Sequence, residues 1–183
     1  MKFPIKFLLV ALLYWPCTTF AEQSKSSIEI PTTIQKSFEQ PSLVGSATLK
    51  FLGMKVYDIF LWSEGVGFSY KKRFAIHIKY NMNFSREDLA QRSIVEIEKL
   101  HELSKEEKET YLENLKEIFH PIKKGDEKTA IFVPSKGVTM FHNSEITGKI
   151  YDQKLSRLFV DIWLDERGSY PAVTRKLLGK EIF

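Results

Sequence analysis

The chain has 183 residues, 43% of them hydrophobic and 27% charged, with a formal net charge of +4 and a single cysteine. A domain of this length can be held by its own core, and one cysteine excludes an internal disulfide framework and thiolate-rich metal sites. Lys2 and Lys6 supply half of the surplus charge, and the +2 that remains beyond them does not suggest a nucleic-acid binder.

Residues 1–21 read as a secretory signal peptide: Lys2 and Lys6, the apolar run Phe7 to Trp15, then "CTTFA", with Thr19 and Ala21 spaced as in a cleavage site. The run is about half the length a bilayer-spanning helix needs, and Pro16 interrupts it. Bulky Tyr14, Trp15 and Pro16 before Cys17 argue against a lipid anchor. Cleavage after Ala21 removes the only cysteine, leaves no membrane span and implies a periplasmic or secreted protein. Residues 22–42, rich in Ser, Thr and Gln, are expected as a lead-in with a possible edge strand, and residues 43–183 as the domain.

"SATLKFLGMKVYDIFLW" (46–62) and "FAIHIKYNM" (74–82) are dense in β-branched and aromatic residues and flank a Gly- and Lys-containing loop. This predicts two neighbouring antiparallel strands, the first one long with a bulge or a bend at Gly53. His77 and Lys79 alternate with Ile76, Ile78 and Tyr80, which predicts one wet face. The period then changes. Ser85 with Asp88, and Ser104 with Glu107, cap two amphipathic helices, the second ended by Pro121. "TAIFV" (129–133) and "VTMFHN" (138–143), joined by "PSKG", form a hairpin, followed by the extended "SEITGKIYD". A third helix begins near Asp152, and a last short one runs from Pro171 to Gly179. The order predicts an α+β domain with helices packed on an antiparallel sheet.

Lys55 and Tyr57 lie two apart on a strand and so point to one face, with Asp58 on the other. Facing the helices, they suit an anionic head group; facing water, they are surface residues. Arg92 with Glu96, and Arg157 with Asp161, have ion-pair spacing on helices. Arg92 also borders the apolar stripe between Leu89 and Ile94, where an arginine can hold a carboxylate by two parallel hydrogen bonds. His142 and Asn143 could reach a pocket rim, although Asn143 equally serves a turn. The histidines at 77, 101, 120 and 142 lack metal-ligand spacing. There is no phosphate-binding loop and no nucleophile elbow. Neither a metal, a cofactor nor a catalytic residue is therefore expected.

"GSATLKFLGMKVYDIFLW", "IKYNMNFSREDLAQRSIVEIEKL", "FHPIKKGDEKTAIFVPSKGVTMFHNSEITGKI" and "LSRLFVDIWLDERGSYPAVTRKLLG" resemble, in this order, the bacterial chalcone isomerase-like proteins, a group of exported domains. The resemblance implies a long curved antiparallel sheet with helices layered on one face and a cleft between them. The plant isomerase is similar at the level of fold, which does not transfer function. Its cleft threonines align with Leu52 and near Ile162, and the tyrosine, lysine and asparagine of its cleft helix find no match in "FSREDLAQRSIVEI". A related branch binds fatty acids through an arginine and a tyrosine, and Leu52 aligns with that tyrosine too. The resemblance thus implies a non-catalytic domain that binds a hydrophobic ligand such as a fatty acid, and the residues themselves offer Lys55, Tyr57, Arg92 and Asn143 as candidate contacts. The alternatives are an isomerase or lyase acting on a small unsaturated or phenolic substrate, and an envelope protein-interaction domain.

Overall fold

Two successive residues with positive φ, Leu52 at 48° and Gly53 at 80°, decide how the sheet begins. In the computed structural model, which describes residues 28–180, they form a tight turn joining β1 (Pro41–Phe51) to β2 (Met54–Glu64). The sequence reading of one long strand bent at Gly53 is corrected here: the chain reverses and pairs with itself, Phe51 opposite Met54 and Leu43 opposite Trp62. A two-residue hairpin of this twist needs φ > 0 at both central positions, which Gly53 accepts freely and Leu52 adopts at a cost. The signal-peptide reading concerns residues outside those described.

Four further strands continue the meander: β3 (Phe74–Tyr80), β4 (Glu127–Val133), β5 (Gly137–His142) and β6 (Glu145–Ile150). All neighbours are antiparallel and follow chain order, so β1 and β6 are the edges. Register shifts in the β1–β2 and β5–β6 pairs mark bulges, which bend a sheet and increase its twist.

The helices are α1 (Thr32–Ser37), α2 (Arg86–Leu100), α3 (Lys105–Ile118), α4 (Gln153–Leu164) and α5 (Pro171–Leu177). The Ser85 hydroxyl accepts the Asp88 N–H at the start of α2, and Ser104 and Glu107 exchange both bonds of a capping box at α3. Asp152 caps α4 by accepting the Leu155 N–H. Within the segment expected as a lead-in with a possible edge strand, the short α1 and the residue after it pack Ile34 and Phe38 against Trp62, Ala75 and Ile131 on the outer face of the sheet. The wet face expected for β3 holds at Lys79, which is exposed, and is corrected at His77. His77 is 1% exposed, hydrogen-bonds the Thr129 hydroxyl at 2.9 Å, and is pushed down to about 4 by burial.

The opposite face carries Ile59, Leu61, Ile76, Ile78, Ala130 and Met140, which meet residues of α2 to α5 in one core. α2 packs on α3 and α4, and α5 packs on β1. At Gly45 the approach of α5 is so close that a Cβ would lie 2.1 Å from the Lys176 carbonyl oxygen.

Candidate functional site

The core is not closed. Between the inner face of the sheet, over β1 to β5, and the faces of α2 and α4 lies a cavity of about 620 Å³, within the ~300–1,000 Å³ usual for small-molecule sites. Its walls are mainly apolar, with Ile76, Ile78 and Met140 from the sheet, Leu89 and Val95 from α2, and Phe159 from α4. The bulge in β2 shapes one wall. Leu49 pairs with Tyr57 and Lys50 with Lys55, so Val56 is left over on β2 and joins Tyr57 in lining the cavity.

Polar groups enter the cavity at two places. Near the mouth, Arg92 lies more than half exposed, 2.6 Å from the Glu96 carboxylate and 3.3 Å from the Tyr170 hydroxyl. Glu96 is buried, and it also accepts from Lys99 at 3.0 Å and from the Ser169 hydroxyl at 2.6 Å. Burial acts to raise its pKa, but the bonds from Ser169 and Lys99 and the charge of Arg92 hold the carboxyl below its ordinary value. The spacing of Arg92 and Glu96 on α2 therefore forms a braced pair across which α2 is tied to the loop before α5.

Further in, the Tyr57 hydroxyl accepts the indole N–H of Trp163 at 3.1 Å. Burial pushes Tyr57 up to about 12, against the lowering effect of that bond, so the phenol keeps its proton and can donate it to a guest.

The second polar group at depth is Lys128, on β4 in register with Ile78 and His142. It is 4% exposed, lines the cavity, and its Nζ makes no hydrogen bond. The ammonium lies 4.4 Å from the centroid of the Phe119 ring, a distance at which the ring face attracts a cation. Burial pushes its amine down to about 8, with Asp126 pulling the other way. Asp126 is otherwise engaged by Asn143, His142 and the Lys123 N–H.

Of the four residues singled out from the sequence, Tyr57 and Arg92 line the cavity, whereas Lys55 and Asn143 do not. The β2 bulge breaks the alternation that placed Lys55 beside Tyr57, and Lys55 instead pairs with Asp58 at 2.6 Å on the outside. Asn143, with φ 47°, makes the β5–β6 turn, accepting the Glu127 N–H and donating to Asp126. Leu52, aligned from the sequence with polar cleft positions, is 82% exposed in the hairpin turn, so that alignment is corrected. Ile162 does line the cavity. Lys128 and Trp163 were not singled out. For Lys128 the signal was the two-residue alternation Lys128, Ala130, Phe132, which carries the core face one position before the expected strand start.

Among the described residues, no group of three or more His, Cys, Asp or Glu is placed to hold a metal ion, and no helix is long and apolar enough to cross a membrane. No curated protein matches the chain. Among solved structures, the Arabidopsis thaliana fatty-acid binding protein AtFAP1 shares the fold. It superposes with a TM-score of 0.59 at 9% sequence identity, covering 77% of this chain and 88% of that one. A family model described as chalcone isomerase-like matches residues 22–179, and with it the six-stranded antiparallel meander under its helices is accounted for: the chain belongs to the chalcone isomerase-like family.

Proposed function

We propose that the protein is an exported, non-catalytic binding domain whose cavity takes up a hydrophobic acid of the fatty-acid type. The observation that carries this reading is the cavity itself, about 620 Å³ with mostly apolar walls and a few polar groups, the composition of a ligand site and not of a solid core. Each methylene moved from water into such a wall contributes about 0.8 kcal/mol. A tail of ten methylenes then offers about 8 kcal/mol, enough to offset much of the ~4–15 kcal/mol cost of association. The fold shared with a plant fatty-acid binding protein supports the same reading. Export rests on the leader-like pattern of residues 1–21.

Three large exposed apolar side chains, Phe51, Leu52 and Met54, crowd the β1–β2 hairpin tip and would serve an interaction domain. That rival calls for a solid core, and the open one makes it the weaker reading. Native mass spectrometry of the exported protein, followed by solvent extraction, tests the proposal. A co-purifying acyl chain, or stoichiometric uptake of added dodecanoate, is expected; an empty protein that takes up no fatty acid refutes it.

A further inference from the structure

We propose that the acid end of the ligand goes in first and seats on the Lys128 ammonium at the floor of the cavity, with the tail pointing to the mouth. This orientation rests on reading the cavity as a site for a lipid-like acid. Lys128 is buried at 4% exposure, borders the cavity, and has three N–H donors with no acceptor. A buried ammonium in that condition is costly, and natural structures keep one only where something completes it.

The groups around it do not complete it. Phe119, at the end of α3, offers a ring face. His142 on β5 is turned to Asp126 at 3.1 Å, and its ring lies 5.9 Å from that of His120. Asp126, the anion whose charge Lys128 feels, makes its hydrogen bonds to Asn143, His142 and the Lys123 N–H. A carboxylate entering from the cavity supplies the missing acceptor. The other cation among the described lining residues, Arg92, lies at the mouth and already faces Glu96 at 2.6 Å. With a single ammonium and no second donor cation beside it, the floor suits a monoanion, a carboxylate and not a dianionic phosphate.

The test compares dodecanoate with methyl dodecanoate, which shares the tail and lacks the charge, by equilibrium dialysis against the protein and its Lys128→Met and Arg92→Gln variants. The expected result is that the protein prefers the acid by about 10- to 100-fold, the range for a charge-assisted contact made without water. Lys128→Met should bring the preference to within about threefold while still binding the ester, which shows that its cavity is intact. Equal affinities for acid and ester in the unaltered protein overturn the Lys128 assignment and leave the lipid reading standing. So does an acid preference that survives Lys128→Met and disappears in Arg92→Gln. Failure of both probes to bind the unaltered protein removes the lipid reading and this inference together.

Discussion

Replacing Lys128 by methionine should make the ligand-free protein more stable, which is the reverse of most core substitutions. The amine is pushed down to about 8 from 10.5, a difference of about 2.5 that corresponds to about 3 kcal/mol at 1.36 kcal/mol per pKa unit. Methionine removes that penalty, fills similar space and keeps a favourable sulfur contact with Phe119. It forfeits the cation–ring attraction of about 0.5–2 kcal/mol. The net gain expected at pH 7 is about 1–3 kcal/mol. Because the folded-state pKa is lowered, the unfolded chain binds more protons between pH 8 and 10.5, and the stability of the unaltered protein rises there by about 1.4 kcal/mol per pH unit. The advantage of Lys128→Met should therefore shrink as pH rises from 8 towards 10. The buried phenols of Tyr57 and Tyr80, both raised by burial, act oppositely, since stability they provide is lost as pH passes 10. They are common to both proteins and cancel in the comparison. Urea unfolding at pH 7 and at pH 9.5, with m-values checked for equality, measures the gap. A variant less stable at both pH values by the same amount would show that Lys128 is not a buried, unsatisfied charge.

Shortening the ligand from dodecanoate to decanoate removes two methylenes from the wall and should weaken binding by about 1.6 kcal/mol, roughly 15-fold in Kd; a flat series by calorimetry places the tail outside the cavity. Leu52→Asn should raise stability by about 1 kcal/mol in urea unfolding, because asparagine tolerates the φ of 48° that leucine holds under strain. A loss of stability would mean that this turn does not have the described form. Gly45→Ala should lower stability by about 3 kcal/mol or more, since its Cβ would meet the backbone oxygens of Lys176 and Leu177 at 2.1 and 2.5 Å. An unchanged urea midpoint would contradict the docking of α5 on β1.

The elements most legible in the sequence were those governed by short-range chemistry. Ser85, Ser104 and Asp152 announce helix starts because a cap needs only the next three residues, and the structure places all three as caps. The β4–β5 hairpin was legible for the same reason. The β1–β2 hairpin was not, because its turn uses leucine where asparagine is the usual signal, and twelve mostly apolar residues conceal the reversal. His77 was misread because its cover comes from neighbouring strands, Phe60 on β2 with its ring 6.0 Å away and Thr129 on β4, which alternation within β3 cannot reveal. In the site, Arg92 could be found from its place on the rim of an amphipathic helix. Lys55 could not be excluded, since one bulge at Val56 undoes the two-residue period on which its orientation depended.

Arg92 and Lys128 pose the question of where an acid would settle, and the magnitudes favour the deeper site. At Arg92 an incoming carboxylate approaches a charge that already faces Glu96, a carboxylate shared with Lys99. Two carboxylates about 5 Å apart repel by about 3 kcal/mol at an effective dielectric constant of 20, which offsets part of what a partly exposed arginine can contribute even with Lys99 also facing Glu96. At Lys128 no ion pair is in place. The carboxylate must shed its water, a cost of several kcal/mol that often cancels the attraction in buried ion pairs. Here, however, the lysine has already been desolvated by folding, so the complex carries only the ligand's share of that cost. On this proposal an acid that seats on Lys128 would release the strain that makes the empty protein less stable, and the amine's pKa should rise again in the complex. A cavity that works as proposed would discriminate by charge at Lys128 and by apolar length along its walls, which is the selectivity that separates a fatty acid from a neutral lipid of the same length.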